Sequence, residues 1–413
     1  MFIQSSFGLL GLIFLAWLLS ENRREVPWRI VLTGLALQFA IALLLLKFPP
    51  AHGIFGVVSS GVDALQAATQ AGTSFVFGYL GGGTPPFAPG VAGSTFIFAF
   101  QALPLVLVIS ALSALLYYWQ ILPAVVKGFA WVLNKAMGIG GAAGVATIAN
   151  IFVGMVEAPL FIKPYMERLS RSALFMVMVS GMATISGTVL VLYSTILGPA
   201  IPDAAGHLLT ASLISAPASL LIAALMVPGE TGADEDIALP RGEEHNAMEA
   251  LVKGTSEGLQ LLLHIIALLV VLVSLVAIAN QILSILPDMN GTAITLQRVL
   301  GWIMAPIAWL MGIPWSEATD AGALLGTKTI LNELIAYSDM VALPAGTLSD
   351  RSELIMTYAL CGFANFGSLA IMIGGLGTIS PKRQPEIIAL GIKSIIAGTL
   401  ATCMTGAVIG VIS

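Results

Sequence analysis

The sequence predicts an all-α polytopic membrane protein, with about eight transmembrane helices plus two re-entrant helical hairpins in an inverted repeat. Three observations carry that prediction: an apolar composition with little charge, a series of long apolar runs, and two Gly-rich segments that each hold a Glu and each precede an interrupted helix. Of 413 residues, 57% are hydrophobic and 9% charged, against roughly 25% charged in an ordinary soluble domain. The solvent in which this chain folds is therefore mostly lipid.

A hydrocarbon core about 30 Å thick needs roughly 20 apolar residues per helical crossing. Runs of that character lie at 7–19, 30–46, 96–119, 173–197, 208–227, 259–286, 354–376 and 387–412. The first is short, but it has no basic segment in front and no small-residue cleavage site behind, so it reads as a retained helix and not a signal peptide. Basic residues stay in the cytoplasm during insertion. Arg23, Arg24 and Arg29 follow the first run, Lys127 and Lys135 the third; Lys163, Arg168 and Arg171 precede the fourth, Arg241 and Lys253 the sixth, Lys382 and Arg383 the eighth. These loops share one side if both termini are outside.

The long polar stretch 229–256 reads as a cytoplasmic linker, and Met248, Leu251 and Val252 within 246–258 suit a short interfacial helix leading into the sixth crossing. Cys361 and Cys403 lie inside apolar runs, which suggests packing residues and no disulfide framework. The histidines are scattered, and only His264 lies within a crossing, where helix packing and function both remain open.

Segments 138–165 and 322–343 are too polar and Gly-rich to face lipid, and irregular backbone at membrane depth persists only where protein or a polar cavity satisfies it. Both are expected to be re-entrant hairpins. An internal repeat supports this: Arg171-Ser172-Ala173-Leu174-Phe175-Met176 matches Arg351-Ser352-Glu353-Leu354-Ile355-Met356, and each stretch runs into an interruption, at 181–187 and at 362–368. By the charge assignment, the copies start from opposite sides. Inverted repeats with broken helices are how many secondary transporters build a midplane site open alternately to either face.

Ahead of the two interruptions lie Glu157 and Glu333, each costing roughly 2.5 kcal/mol or more in a bilayer if ionised and unpaired. They form either a structural pair bonded to hairpin backbone, or acceptors for a polar solute or a coupling proton. Asn365 and Ser368, three apart, fall on one side of a helix if the chain is helical there, suited to vicinal hydroxyls or to bonds between helices. Asn150 and Thr184 supply neutral oxygens beside Gly-rich backbone, as a hard cation requires, although from spacing alone simple packing and capping is the better reading.

Asn150-Ile151-Phe152-Val153-Gly154 leading into Glu157-Ala158-Pro159-Leu160, the stretch from Gly326-Thr327-Lys328 to Asn332-Glu333, and Cys361-Gly362-Phe363-Ala364-Asn365-Phe366 resemble the concentrative nucleoside transporters over nearly the whole chain. The resemblance implies a bacterial eight-helix protomer of a homotrimer, with scaffold and elevator-type transport subdomains. On this reading 1–137 holds N-terminal scaffold and interfacial helices, 138–228 the first transport repeat, 229–257 the linker and interfacial helix, 258–317 a scaffold helix and outer-face segment, and 318–413 the second transport repeat.

The resemblance further implies ribose contacts by Glu333, Asn365 and Ser368, and base contacts by Gly154, Met155, Val156 and Glu157, with Val189 and Phe363 in the same substrate site. It places sodium at the Asn150 side chain, the carbonyls of Val153 and Ile185 and the Thr184 hydroxyl. The expected activity is sodium-coupled nucleoside symport without a cofactor, a catalytic centre or a nucleic-acid partner. One departure stands out: Met155 and Val156 occupy positions where the family usually carries Gln and then Thr or Ser. An apolar wall discriminates weakly, by about 1–3 kcal/mol, so ribose recognition is expected to persist while base selectivity changes. Proton coupling through Glu157 or Glu333, and a related non-nucleoside solute, are the rival readings. An intramembrane enzyme using the two carboxylates as an acid and base pair would need aspartate motifs or Ser/His pairs that the sequence does not display, and a passive channel would never exceed equilibrium.

Overall fold

Helices occupy all eight predicted runs in the computed structural model, which describes residues 2–86, 96–155, 157–198, 200–231, 244–289 and 293–413. Val156, and the part of the predicted linker from 232 to 243 with Arg241, lie outside the described residues. Among the described residues, six helical stretches are long and apolar enough to cross a membrane: Trp28–Lys47, Phe98–Tyr118, Arg171–Leu197, Ala204–Met226, Ala247–Leu283 and Pro381–Ile412. Phe2–Leu18 is shorter, and Asp350–Leu360 with Phe366–Ile379 forms a crossing divided by five residues.

Burial sorts these helices into a centre and a periphery. In the apolar stretch of Arg171–Leu197, 94% of residues are buried, against 6% in Ala247–Leu283. The former and Ala204–Met226 pack with Gln384–Ile412 at the centre, and Phe2–Leu18 and Trp28–Lys47 pack against this group. Ala247–Leu283 packs chiefly along Leu105–Tyr118. A helix of 37 residues is about 55 Å long, well beyond the hydrocarbon thickness.

Three boundaries differ from the sequence reading. The expected short interfacial helix at 246–258 is continuous with the sixth crossing. Gly254 and Gly258, which look like breaks, are a packing notch: a Cβ at Gly254 would lie 2.6 Å from Ala114 Cβ, and one at Gly258 would lie 2.9 Å from Ser110 Cβ. Small residues four apart let two membrane helices approach closely.

The expected outer-face segment includes the helix Leu296–Leu310, which turns through 117° into Trp315–Ile330. Gly312 makes the corner with φ +103°, a conformation open chiefly to glycine. The second hairpin therefore begins at Trp315, not 322, and comprises Trp315–Ile330 and Glu333–Ala342; its polar first turn, Ser316 and Glu317, hides the start of the arm. The first hairpin comprises Gly141–Phe152 and Ala158–Arg168, three residues later than expected at each end. Its second arm is wound as a tight 3₁₀ helix carrying Pro159 and Pro164, residues that cannot supply the N–H an α-helix needs.

Candidate solute-binding site

The two helix interruptions meet. The first break spans Thr184 to Ser186, with Thr184 and Ser186 extended. The second spans Cys361 to Asn365. A Cβ at Gly362 would lie 2.8 Å from the Ala183 carbonyl oxygen and 2.7 Å from Thr402 Cγ2, so only glycine admits this contact between the breaks. Each hairpin tip reaches the same region: a Cβ at Gly187 would lie 3.0 Å from the Phe152 carbonyl oxygen, and Glu333 bonds to both broken helices.

Between them lies a partly open cavity of about 150 Å³. Its polar wall centres on Glu333, which is 4% exposed. Tyr193 donates its hydroxyl to Oε1, and Asn365 Nδ2 donates to Oε2 at 2.9 Å. Glu333 opens the helix Glu333–Ala342, where the positive end of the helix dipole favours a carboxylate; the Asn332 side chain caps that helix by accepting from Ile335 N at 2.9 Å.

Asn365 is itself a cap. Its backbone is extended, and Oδ1 accepts from Ser368 N at 2.7 Å. The pairing of Asn365 with Ser368 expected from helical spacing therefore arises from capping geometry, because the helix starts only at Phe366. Apolar side chains make up much of the remaining lining: Met155, Val189 and Phe363, with Leu261, Ile265 and Leu272 from Ala247–Leu283.

Gly154, at φ +118°, forms the bend of the first hairpin, and a Cβ there would lie 2.8 Å from Glu157 Oε2. Both residues line the cavity, as does Val153. Thus all the described residues expected at the solute site, namely Gly154, Met155, Glu157, Val189, Glu333, Phe363, Asn365 and Ser368, border one cavity. Tyr193, Ser186 and Thr188 also line it, the last two sharing a hydrogen bond of 2.7 Å, and were not singled out in the sequence. Tyr193 lies one helical turn after Val189, a spacing that offered the only signal. His264 is exposed and lines no part of it.

Two of the expected cation residues, Asn150 and Thr184, meet at the first break. Asn150, 1% exposed, donates through Nδ2 to the Ser180 carbonyl at 3.2 Å and to the Thr184 hydroxyl. Thr184 Oγ1 donates to the same carbonyl at 3.0 Å. Ile185 sits in the break, outside either half-helix. Asn150 Oδ1 is buried without a hydrogen-bond partner among the described residues. A buried acceptor left unpaired costs roughly 1–3 kcal/mol, and oxygen ligands of this kind suit a hard monovalent or divalent cation.

Comparison with known proteins gives this arrangement a lineage. Family profiles described as Na+ dependent nucleoside transporter N-terminus and C-terminus match residues 7–80 and 207–410, and one described as nucleoside recognition matches 99–200. The chain belongs to the concentrative nucleoside transporter family. It is 36% identical to the nucleoside permease NupC of Helicobacter pylori, over 99% of this chain and 98% of that one. It is 33% identical to human solute carrier family 28 member 3, over 98% of this chain and 59% of the human protein. Solved structures of the concentrative nucleoside transporter CNTnw superpose with TM-scores of 0.90 in an inward-facing substrate-bound state and 0.91 for a variant in an outward-facing state, at 36% and 35% identity; each covers 99% of this chain, and 98% and 97% of those chains. The family is one of transporters, and this member is a multi-pass membrane protein with the family's all-helical fold.

Proposed function

We propose that the protein is a sodium-coupled nucleoside symporter whose ribose site is Glu333, Asn365 and Ser368. The observation that carries this reading is the Glu333 carboxylate, held by Tyr193 and Asn365 at a helix N-terminus in a cavity whose lining is otherwise largely apolar. Each carboxylate oxygen keeps a lone pair for a solute hydroxyl after those bonds are made. A nucleoside has this same division, a polyol joined to a flat ring with apolar faces. The base lies toward Gly154, Met155, Val156 and Glu157, with Val189 and Phe363 along the ring, and the two apolar hairpin residues alter base selectivity.

Sodium is assigned to Asn150, Thr184 and the carbonyls of Val153 and Ile185. Support comes from the unpartnered Asn150 oxygen beside the helix break and from the sodium dependence in the family description. Sodium binding first orders the first hairpin, so the solute meets a completed site at lower entropic cost. Each charge crossing with a 100 mV potential then contributes about 2.3 kcal/mol of drive.

The transport set, comprising both hairpins and both broken helices, moves as an elevator against scaffold helices of a homotrimer in a bacterial inner membrane, with both termini periplasmic. The exposed apolar face of Ala247–Leu283 supports contact with lipid and with neighbouring protomers. The experiment is uptake of radiolabelled uridine, adenosine and hypoxanthine into proteoliposomes with and without an inward sodium gradient. Accumulation of a nucleoside above equilibrium only with sodium is expected; accumulation indifferent to sodium would overturn the coupling, and none at all would overturn the substrate.

A further inference from the structure

Among the described residues, Glu333 and Lys328 are the only fully or almost fully buried charged side chains, at 4% and 0% exposure. Lys328 takes no part in the site described above. Its ammonium donates to the Ala359 carbonyl at 2.8 Å and to the Thr402 hydroxyl at 2.9 Å, and no carboxylate among the described residues forms a salt bridge with it.

The place it occupies repeats that of Asn150. Asn150 lies two residues before the end of the first arm of its hairpin, Gly141–Phe152, and Lys328 lies two before the end of Trp315–Ile330. Asn150 reaches a carbonyl in the last turn of Arg171–Ala183, and Lys328 reaches one in the last turn of Asp350–Leu360. Both carbonyls stand at the negative end of a half-helix; the Ser180 carbonyl still accepts from Thr184 N at 3.2 Å, and the Ala359 carbonyl lies one residue before its helix ends at the break. In the first repeat that end is furnished with neutral oxygens and a free amide oxygen. In the second it is filled by an ammonium group.

We propose that Lys328 is a tethered cation, holding in the second repeat the position that sodium takes in the first, and that its fixed charge keeps the Glu333 carboxylate competent to accept the solute. This rests on the sodium and ribose assignments made above. The charge and the carboxylate sit five residues apart on one hairpin, so its buried tip carries no net charge. Without Lys328, Glu333 is a lone buried charge, which is the costly arrangement. The second repeat then needs no cation from solution, and a single sodium site suffices for both halves.

The test measures uridine affinity of the purified full-length protein by calorimetry at saturating sodium. Sodium binding without nucleoside is read from the sodium-dependent rise in melting temperature. Lys328→Gln keeps a donor for both acceptors while removing the charge. It is expected to weaken uridine binding about tenfold and to leave the sodium-dependent rise unchanged, whereas Asn150→Ala moves that rise to about tenfold higher sodium. Lys328→Ala opens room for a small cation, and methylammonium chloride is expected to restore its uridine affinity at least in part, while methanol at equal concentration does not. Wild-type affinity in Lys328→Gln would overturn the proposal. So would its failure to fold, which would make the charge a folding requirement, or a folded Lys328→Ala indifferent to methylammonium. Wild-type protein that binds no uridine would strike at the nucleoside reading itself, and no variant is needed to see it.

Discussion

Tyr193→Phe removes a single oxygen from the site and nothing else. The ring keeps its place against Tyr337, with centroids 5.5 Å apart, and Glu333 keeps its bond from Asn365. What is lost is the donor to Glu333 Oε1, on a carboxylate residue that is only 4% exposed. Hydrogen bonds to charged groups contribute about 1.5–3 kcal/mol, and every 1.4 kcal/mol is tenfold in affinity. If the tyrosine fixes the carboxylate for the solute, nucleoside affinity should fall roughly tenfold to a hundredfold. If instead its hydroxyl competes with the solute for Oε1, affinity should rise. Equilibrium uridine binding at saturating sodium separates the two, with thermal unfolding to establish that the variant is folded. Unchanged or tighter binding would refute the view that Tyr193 positions Glu333.

Asn150→Ala and Thr184→Ala should each raise the sodium concentration for half-maximal uptake by about tenfold, with maximal uptake reduced much less; a wild-type sodium response in both variants would remove the cation assignment. Met155→Gln places a donor and an acceptor on the apolar wall and should shift discrimination between bases by about 1–3 kcal/mol, read from competition of unlabelled nucleosides against uridine. Gly362→Ala drives a methyl group to within 2.8 Å of the Ala183 oxygen, and overpacking of this kind costs about 1–3 kcal/mol, so the melting temperature should drop and uptake with it. Glu21 lies in the loop after the first helix, where bonds from Arg171 and then Lys393, each 3.0 Å, hold its carboxyl below the ordinary value against partial desolvation. Its contribution is complete above the ordinary carboxyl range and disappears as pH falls through the lowered value. The difference in melting temperature between wild type and Glu21→Gln should therefore be small, constant from about pH 6 to 8, and vanish in strong acid.

The amino-acid sequence by itself determined the membrane class, the eight helical runs, the two hairpins and the two interrupted helices. Those are local properties: apolar length sets a crossing, and Gly, Asn and Ser at membrane depth announce backbone that helix cannot satisfy. It also singled out Glu157 and Glu333, which both border the cavity, because a carboxylate in a bilayer is costly. Tertiary structure alone decided what each group faces. Tyr193 meets Glu333 across 140 residues of chain, and no periodicity encodes that meeting. Leu261, Ile265 and Leu272 line the solute cavity while residues of the same type on the same helix stay exposed, since lipid and an apolar pocket wall select identical side chains. Asn365 and Ser368 are joined by a cap and not by a helical turn, and Lys328, one more residue of a polar hairpin when read in sequence, ends against a carbonyl that exists as a free acceptor only because another helix breaks there.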